Sequence, residues 1–220
     1  MANNSKESAM DKVKETVSTF NKYASQYQEK YMSYAPYVES YGAFAKLLTK
    51  KHCTILDVAC GPGNFSRYLL NVNPNLKITG LDLAPDMIEL ARQNVPAAEF
   101  HLLDSRDIAS LGKKFDVILL GFCLPYLSRE ESALLLTDIG KMINKNGLLY
   151  LSTIEGEYSR SGYQSNNSKD RMFVYYHSLN YLIEQLVTNG FEIVHAEKVS
   201  FPSDNDSGID DLFLFARARK

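Results

Sequence analysis

The sequence predicts an α/β layer fold around a mostly parallel sheet, and three observations predict it. Short apolar, β-branched runs alternate with amphipathic stretches between residues 53 and 154. The first run feeds a glycine turn, Cys60-Gly61-Pro62-Gly63. The first three runs each end at or beside an aspartate: Asp57, Asp82 and Asp104.

Residues 1–8 read as frayed. In 10–34, Val13, Val17, Phe20, Ala24 and Tyr27 recur at steps of three and four, one apolar stripe of a helix. A second helix is expected over 36–49, with Pro36 near its start, where a missing N–H costs little. Residues 53–59 lack polar alternation, which suits a strand buried on both faces. Helices are expected over 64–71, 85–94 and 128–143, and strands over 77–82, 99–103, 115–120 and 148–154. The polar stretch 158–170 reads as an exposed loop, of a length more often functional than idle. Ser178 is placed to cap a helix that ends at Asn189-Gly190. Two late strands, 191–201 and 211–219, are expected to pair antiparallel across a turn at 202–208. The domain reading is a helical cap over 1–50 and a ligand-binding body over 51–220, within one structural domain.

Composition narrows the function. The 220 residues are 45% hydrophobic and 23% charged, which excludes wholesale disorder. A net charge of −2 disfavours a nucleic-acid partner, because no positive excess exists to release counterions. Cys53, Cys60 and Cys123 are too few and scattered for a disulfide framework or zinc knuckle, and fit reduced thiols of a cytoplasmic protein. His52, His101 and His195 form no ligand cluster, so no metal is expected. No apolar run approaches the ~20 residues of a membrane span. Nothing in the pattern fixes an oligomeric state.

The glycine turn carries the chemistry. Ligands of open parallel sheets sit beyond the carboxyl ends of the strands. A dinucleotide fingerprint needs a third glycine where Ser66 stands. Asp57 would repel a pyrophosphate but attract a cation, which favours S-adenosylmethionine over NAD. Asp82 follows Asp57 at about the offset from which an acid grips ribose hydroxyls. Asp104 is placed to accept from an adenine amino group, with the N–H of Ser105 or Arg106 meeting a ring nitrogen.

On these residues the chain resembles the class I S-adenosylmethionine-dependent methyltransferases of the small, Rossmann-like type. The resemblance is carried by Ile55-Leu-Asp-Val-Ala-Cys-Gly-Pro-Gly63, Gly80-Leu-Asp-Leu-Ala-Pro-Asp-Met-Ile-Glu-Leu-Ala91, Asp104-Ser-Arg-Asp107, Phe115-Asp-Val-Ile118 and Asn146-Gly-Leu-Leu-Tyr-Leu-Ser152. It implies a three-layer sandwich whose seven-stranded sheet has the order 3-2-1-4-5-7-6, with strand 7 antiparallel. It implies that Ala59, Gly61 and Gly63 line the methionine and sulfonium, and that Asp82 holds the ribose. Leu83 and Met87 would flank the adenine, Asp104 and Ser105 read its edge, and Gly121 and Phe122 border the cofactor. Tyr23 or Tyr27 would close over the methyl donor. Three departures stand out: Ala59 for a glycine, Ala84 for a serine cap, and Lys145-Asn-Gly147 for a Pro-Gly-Gly turn.

The expected activity is methyl transfer to a small-molecule acceptor. Tyr126, Tyr176 and His177 are the candidate catalytic groups; His177 follows an aromatic run at the exit of the long polar stretch, and neutral imidazole takes a proton near pH 7. Aromatic residues at 31, 34, 163, 173 and 175 suggest a ring-bearing or apolar acceptor. Cys123 is read as a packing residue. The rival readings are a methyltransferase acting on nucleic acid or protein, a dinucleotide oxidoreductase, and a non-catalytic S-adenosylmethionine-binding protein.

Overall fold

The computed structural model describes residues 2–50, 53–165, 170–200 and 210–219. Helices α1 (Ala2–Lys22), α2 (Ala24–Tyr31) and α3 (Ala35–Ala45) precede the sheet. Strand β1 (Thr54–Val58) leads to α4 (Asn64–Val72), β2 (Lys77–Asp82) to α5 (Pro85–Asn94), and β3 (Glu99–Leu102) to a 3-10 segment, Ser105–Leu111. β4 (Phe115–Gly121) runs through a short turn, Leu124–Tyr126, into α6 (Arg129–Met142) and then β5 (Ile143–Glu155). The hairpin β6 (Gly162–Ser165) and β7 (Arg171–Val174), helix α7 (Leu179–Thr188), and strands β8 (Phe191–Ser200) and β9 (Asp210–Ala218) complete the chain.

The main sheet has the order β3-β2-β1-β4-β5-β9-β8. β9 is antiparallel to both β5 and β8, so the expected seven-stranded topology is present. Strand alternation splits the core. Leu56, Val58, Ile118 and Leu120 face one way, against α6 and α7. Ile55, Val117, Leu119 and Tyr150 face the other, against α3 and α4. Both faces are covered, so successive residues such as Ile55 and Leu56 are both fully buried. That is why the central strands read as unbroken apolar runs.

Several expectations are corrected. Helix is present from Ala2, within the stretch read as frayed, while Met1 lies outside the described residues. The helix read over 10–34 divides at Tyr23, whose φ of −111° leaves helical space between α1 and α2. The stretch read as a plain loop contains a 3-10 turn, Tyr158–Arg160, and strand β6, which pairs antiparallel with β7 immediately after the stretch; residues 166–169 lie outside the described residues, as do His52 and the turn at 202–208. Ser178 is the N-cap of α7 but makes no side-chain cap bond. Glu155 Oε1 accepts the Leu179 N–H instead, at 3.3 Å.

The missing serine cap at Ala84 is likewise met from elsewhere. Asn21 Oδ1 of α1 accepts the Asp86 N–H in the first turn of α5, at 3.1 Å. By contrast, α6 carries a complete capping box: Ser128 Oγ accepts the Glu131 N–H at 3.2 Å, and Glu131 Oε2 accepts the Ser128 N–H at 2.9 Å. Ser128→Ala is expected to lower unfolding free energy by about 1 kcal/mol, read as a shifted urea midpoint with an unchanged m-value.

Candidate active site

A cavity of about 870 Å³ opens at the carboxyl edge of the sheet. The loop after β1 forms its floor. Ala59 and Gly61 line it with φ of +56° and +53°, and Gly63 follows at +84°. Ala59 holds this left-handed conformation although its Cβ makes it costly. Gly63 does not line the cavity. It is the N-cap of α4, and a Cβ there would stand 3.0 Å from Val95 Cγ2.

Asp82, at the end of β2, ties two loops together. Its Oδ2 accepts the Gly61 N–H at 2.9 Å, and its Oδ1 accepts the Ala84 N–H at 2.9 Å. Burial pushes its carboxyl above the usual range, opposed by those backbone donors. Leu83 and Met87 line the same side. Asp104, two residues beyond the end of β3, caps the 3-10 segment, accepting the Arg106 N–H at 2.9 Å. It also accepts from Arg106 Nε at 3.0 Å, while Arg106 Nη1 donates to Glu131 Oε1 at 2.9 Å. Burial alone would raise the Asp104 carboxyl, but the Arg106 guanidinium outweighs it and holds the acid below its ordinary value.

Ser105, Gly121, Phe122 and Tyr126 complete the walls, and Tyr27 of α2 closes over Gly61. The roof comes from α1 as well. Phe20 stands edge-on to Tyr126, with centroids 5.1 Å apart. A second, adjoining chamber of about 1440 Å³ shares Phe20, Tyr27, Phe122 and Tyr126 with the first.

Other expected site residues stand elsewhere. Asp57 does not reach the cavity. Strand alternation turns it to the α4 face, where it is 3% exposed and accepts the Ser66 hydroxyl at 2.6 Å. Tyr23 points to the β6–β7 hairpin and donates to Asp170; it lines the second chamber and not the first. Tyr176 is buried beneath that hairpin, accepting from Gln164 Nε2. His177 is fully buried, and lines neither cavity. Its Nε2 lies 3.0 and 3.1 Å from the carbonyls of Leu124 and Leu127, which fixes that nitrogen as the N–H donor. Burial lowers its pKa, so it stays neutral. His177 therefore braces the turn that carries Tyr126. The N–H of Arg106, offered for a ring nitrogen, is taken by Asp104.

Sequence reasoning missed Val13, Thr16 and Arg106 as lining residues. The α1 stripe was visible but indistinguishable from packing, and Arg106 was expected to contribute its backbone N–H, not a side chain at the cavity wall. Cys123 also lines the cavity; burial pushes its thiol up to about 12, so it offers no thiolate. Among the described residues, no group of three or more His, Cys, Asp or Glu could hold a metal ion.

Residues 55–147 match the family described as a methyltransferase domain. That match covers about two fifths of the chain. The chain is 33% identical over 114 residues to the malonyl-(acyl-carrier protein) O-methyltransferase of Acetivibrio thermocellus, covering 48% of this chain and 37% of the relative. It is 29% identical over 97 residues to the demethylmenaquinone methyltransferase of Thermotoga maritima, covering 44% and 42%. The matched stretch thus spans about two fifths of these relatives' own length. Among solved structures it is similar to Burkholderia thailandensis 1,6-didemethyltoxoflavin-N1-methyltransferase with bound S-adenosylhomocysteine, at a TM-score of 0.71 and 18% identity over 96% of this chain and 90% of that one. The magnesium protoporphyrin IX methyltransferase of Synechocystis PCC 6803 with bound S-adenosylmethionine aligns at 0.65 and 18%, covering 83% and 78%. At these identities the structures speak for the fold.

The buried Asp57 gives a pH signature. Burial pushes its carboxyl up to about 7, against the opposing Ser66 bond. The folded state then holds a proton that the unfolded chain releases near its ordinary value, so stability falls as pH rises from about 4 to about 7. Asp57→Asn is expected to remove a slope of up to about 1.4 kcal/mol per pH unit, measured by urea denaturation across that window.

Proposed function

We propose that the chain binds S-adenosylmethionine in the cavity above β1, β2 and β3, and transfers its methyl group to a small-molecule acceptor in the adjoining chamber. One observation carries the reading: Asp82 and Asp104, from neighbouring strand ends, face a single cavity across a loop in left-handed conformation. The residues present fit that cofactor. Each oxygen of Asp82 takes one backbone N–H, and a carboxylate has further lone pairs for two ribose hydroxyls. Among the described residues, the one basic side chain lining the cavity, Arg106, is engaged by Asp104 and Glu131. A pyrophosphate would meet acids without a free cation, whereas a sulfonium and an α-ammonium suit them.

When bound, the cofactor supplies a methyl group already activated on a positively charged sulfur. The protein's part is position and exclusion of water. Asp82, Leu83, Met87 and Asp104 would hold the nucleoside, with Ser105 at its edge. Ala59, Gly61, Gly121 and Phe122 would border the methionine end. Tyr27 and Tyr126 stand where the two cavities meet. Burial pushes both phenols above their ordinary values, so they stay protonated at neutral pH and donate or orient rather than accept a proton. Residues 1–50 serve as the cap that covers the reaction, supported by the lining supplied from α1 and α2. Curated relatives named for malonyl-acyl-carrier-protein and demethylmenaquinone methylation support acceptors other than nucleic acid, as does the balanced charge. The three cysteines are free and buried, which supports a reducing, cytoplasmic setting. No helix among the described residues is long and apolar enough to cross a membrane.

Calorimetric titration with S-adenosylmethionine and S-adenosylhomocysteine tests the proposal, followed by a metabolite screen for methylated product. Asp82→Ala is expected to weaken cofactor binding by about 1.5–3 kcal/mol as its charged hydrogen bonds are lost. Unchanged affinity in a folded variant removes the ribose assignment.

A further inference from the structure

The second chamber has an unusual lining. Its rings include Tyr23, Tyr27, Tyr31, Tyr34, Tyr37 and Tyr126. Among the described residues, two charged ones join them, Lys30 and Asp211. Lys30 is exposed, and its ammonium lies 4.7 Å from the centre of the Tyr31 ring. Asp211 is different. It is 7% exposed and belongs to the second residue position of β9. Because β9 runs antiparallel, its start stands at the carboxyl edge of the sheet, level with the end of β5, and Asp211 pairs with Ile154 there. Ile154 lines the chamber too.

We propose that this chamber is a subsite for a cationic amine carried by the methyl acceptor, with Asp211 as its counter-charge and the tyrosine rings as its wall. Among the described residues, the Asp211 carboxylate accepts only the Tyr37 hydroxyl, at 3.2 Å, and no Lys, Arg or His pairs with it. A buried acid without a cation is a costly arrangement. Burial accordingly pushes its carboxyl up to about 6 even with the Tyr37 bond opposing. A ligand cation would restore the missing partner. Tyr37 holds the acid and also belongs to the ring wall: its centroid lies 5.0 Å from that of Tyr34, 4.9 Å from that of Phe122, and 5.8 Å from that of Tyr31 in a stacked pair. Ring faces of this kind attract ammonium groups, as the Lys30–Tyr31 contact shows within the protein. Phe122 borders the first cavity as well, so an amine seated at Asp211 keeps the rest of its molecule at the junction of the two spaces. An anionic acceptor would meet Asp211 head-on, and a neutral one would leave it unmatched.

This inference rests on the reading of the second chamber as the acceptor site. Its test uses three probes of near-equal shape: 2-phenylethylamine, 2-phenylethanol and phenylacetate. Each is titrated calorimetrically at neutral pH into the full chain, with and without saturating S-adenosylhomocysteine. The amine is expected to bind at least about tenfold more tightly than either isostere. Asp211→Asn is expected to abolish that preference while affinity for S-adenosylhomocysteine holds. Tyr37→Phe removes the hydroxyl that competes for the acid, keeps the ring, and is expected to retain the preference. Equal binding of the three probes, no binding of the amine, or an unchanged preference in folded Asp211→Asn overturns the assignment. Should Asp211→Asn not fold, the ranking of probes on the unsubstituted chain decides it. Failure to bind S-adenosylhomocysteine at all would count against the cofactor reading instead, and the probe ranking without it would still judge this one.

Discussion

The carboxylate of Asp82 joins the loop after β1 to the loop after β2 through one backbone N–H from each. Everything at the carboxyl edge depends on that bridge. It holds Gly61 in place beside Ala59, which keeps side chains out of the floor. It also fixes the entry to α5, whose Met87 forms a wall of the same cavity. Because the acid is itself buried and raised in pKa, its two hydrogen bonds partly offset a desolvation cost instead of adding surface stability. The site is thus rigid at its base, as positioning chemistry requires.

The roof is secured by different means. α1 reaches across the molecule: Asn21 caps α5, Glu15 pairs with Arg171 at 2.8 Å, and Lys22 pairs with Asp170 at 2.7 Å. The ion pairs are exposed and individually weak. Apolar contact does more of the holding, through Val17 and Phe20 against Ala84 and Met87. The cover over the cavity is therefore attached to both α5 and the β6–β7 hairpin. Val17 and Phe20 both line the cavity from above and fasten the cover down.

His177 and Asp57 show how function and support exchange places. Both looked like site chemistry in the sequence. His177 holds the Leu124–Tyr126 turn from behind by donating to backbone carbonyls, and the Tyr175 N–H adds a bond to the Pro125 carbonyl at 2.7 Å. Asp57 anchors α4 through Ser66. Each acts on the site through the element it fixes. A chemically able residue near a motif gives no direction to its side chain, and direction separates a contact from a brace.

The order of strands and helices, the ligand edge of the sheet, and the floor of the first cavity were set by local pattern. Apolar runs, a glycine turn and strand-end acids are each determined within about ten residues, where periodicity and turn chemistry act directly. Pairings over long separations were decided only by tertiary structure. Strand alternation combined with helix placement sent Asp57 inward and left Asp82 and Asp104 facing the cavity. Residues 21 and 86 met to complete a helix cap. The antiparallel entry of the last strand brought Asp211 to Tyr37, 174 positions away, among rings contributed by α2 and α3. No spacing rule encodes such a meeting, because it exists only once the sheet has closed and the helices have packed on it.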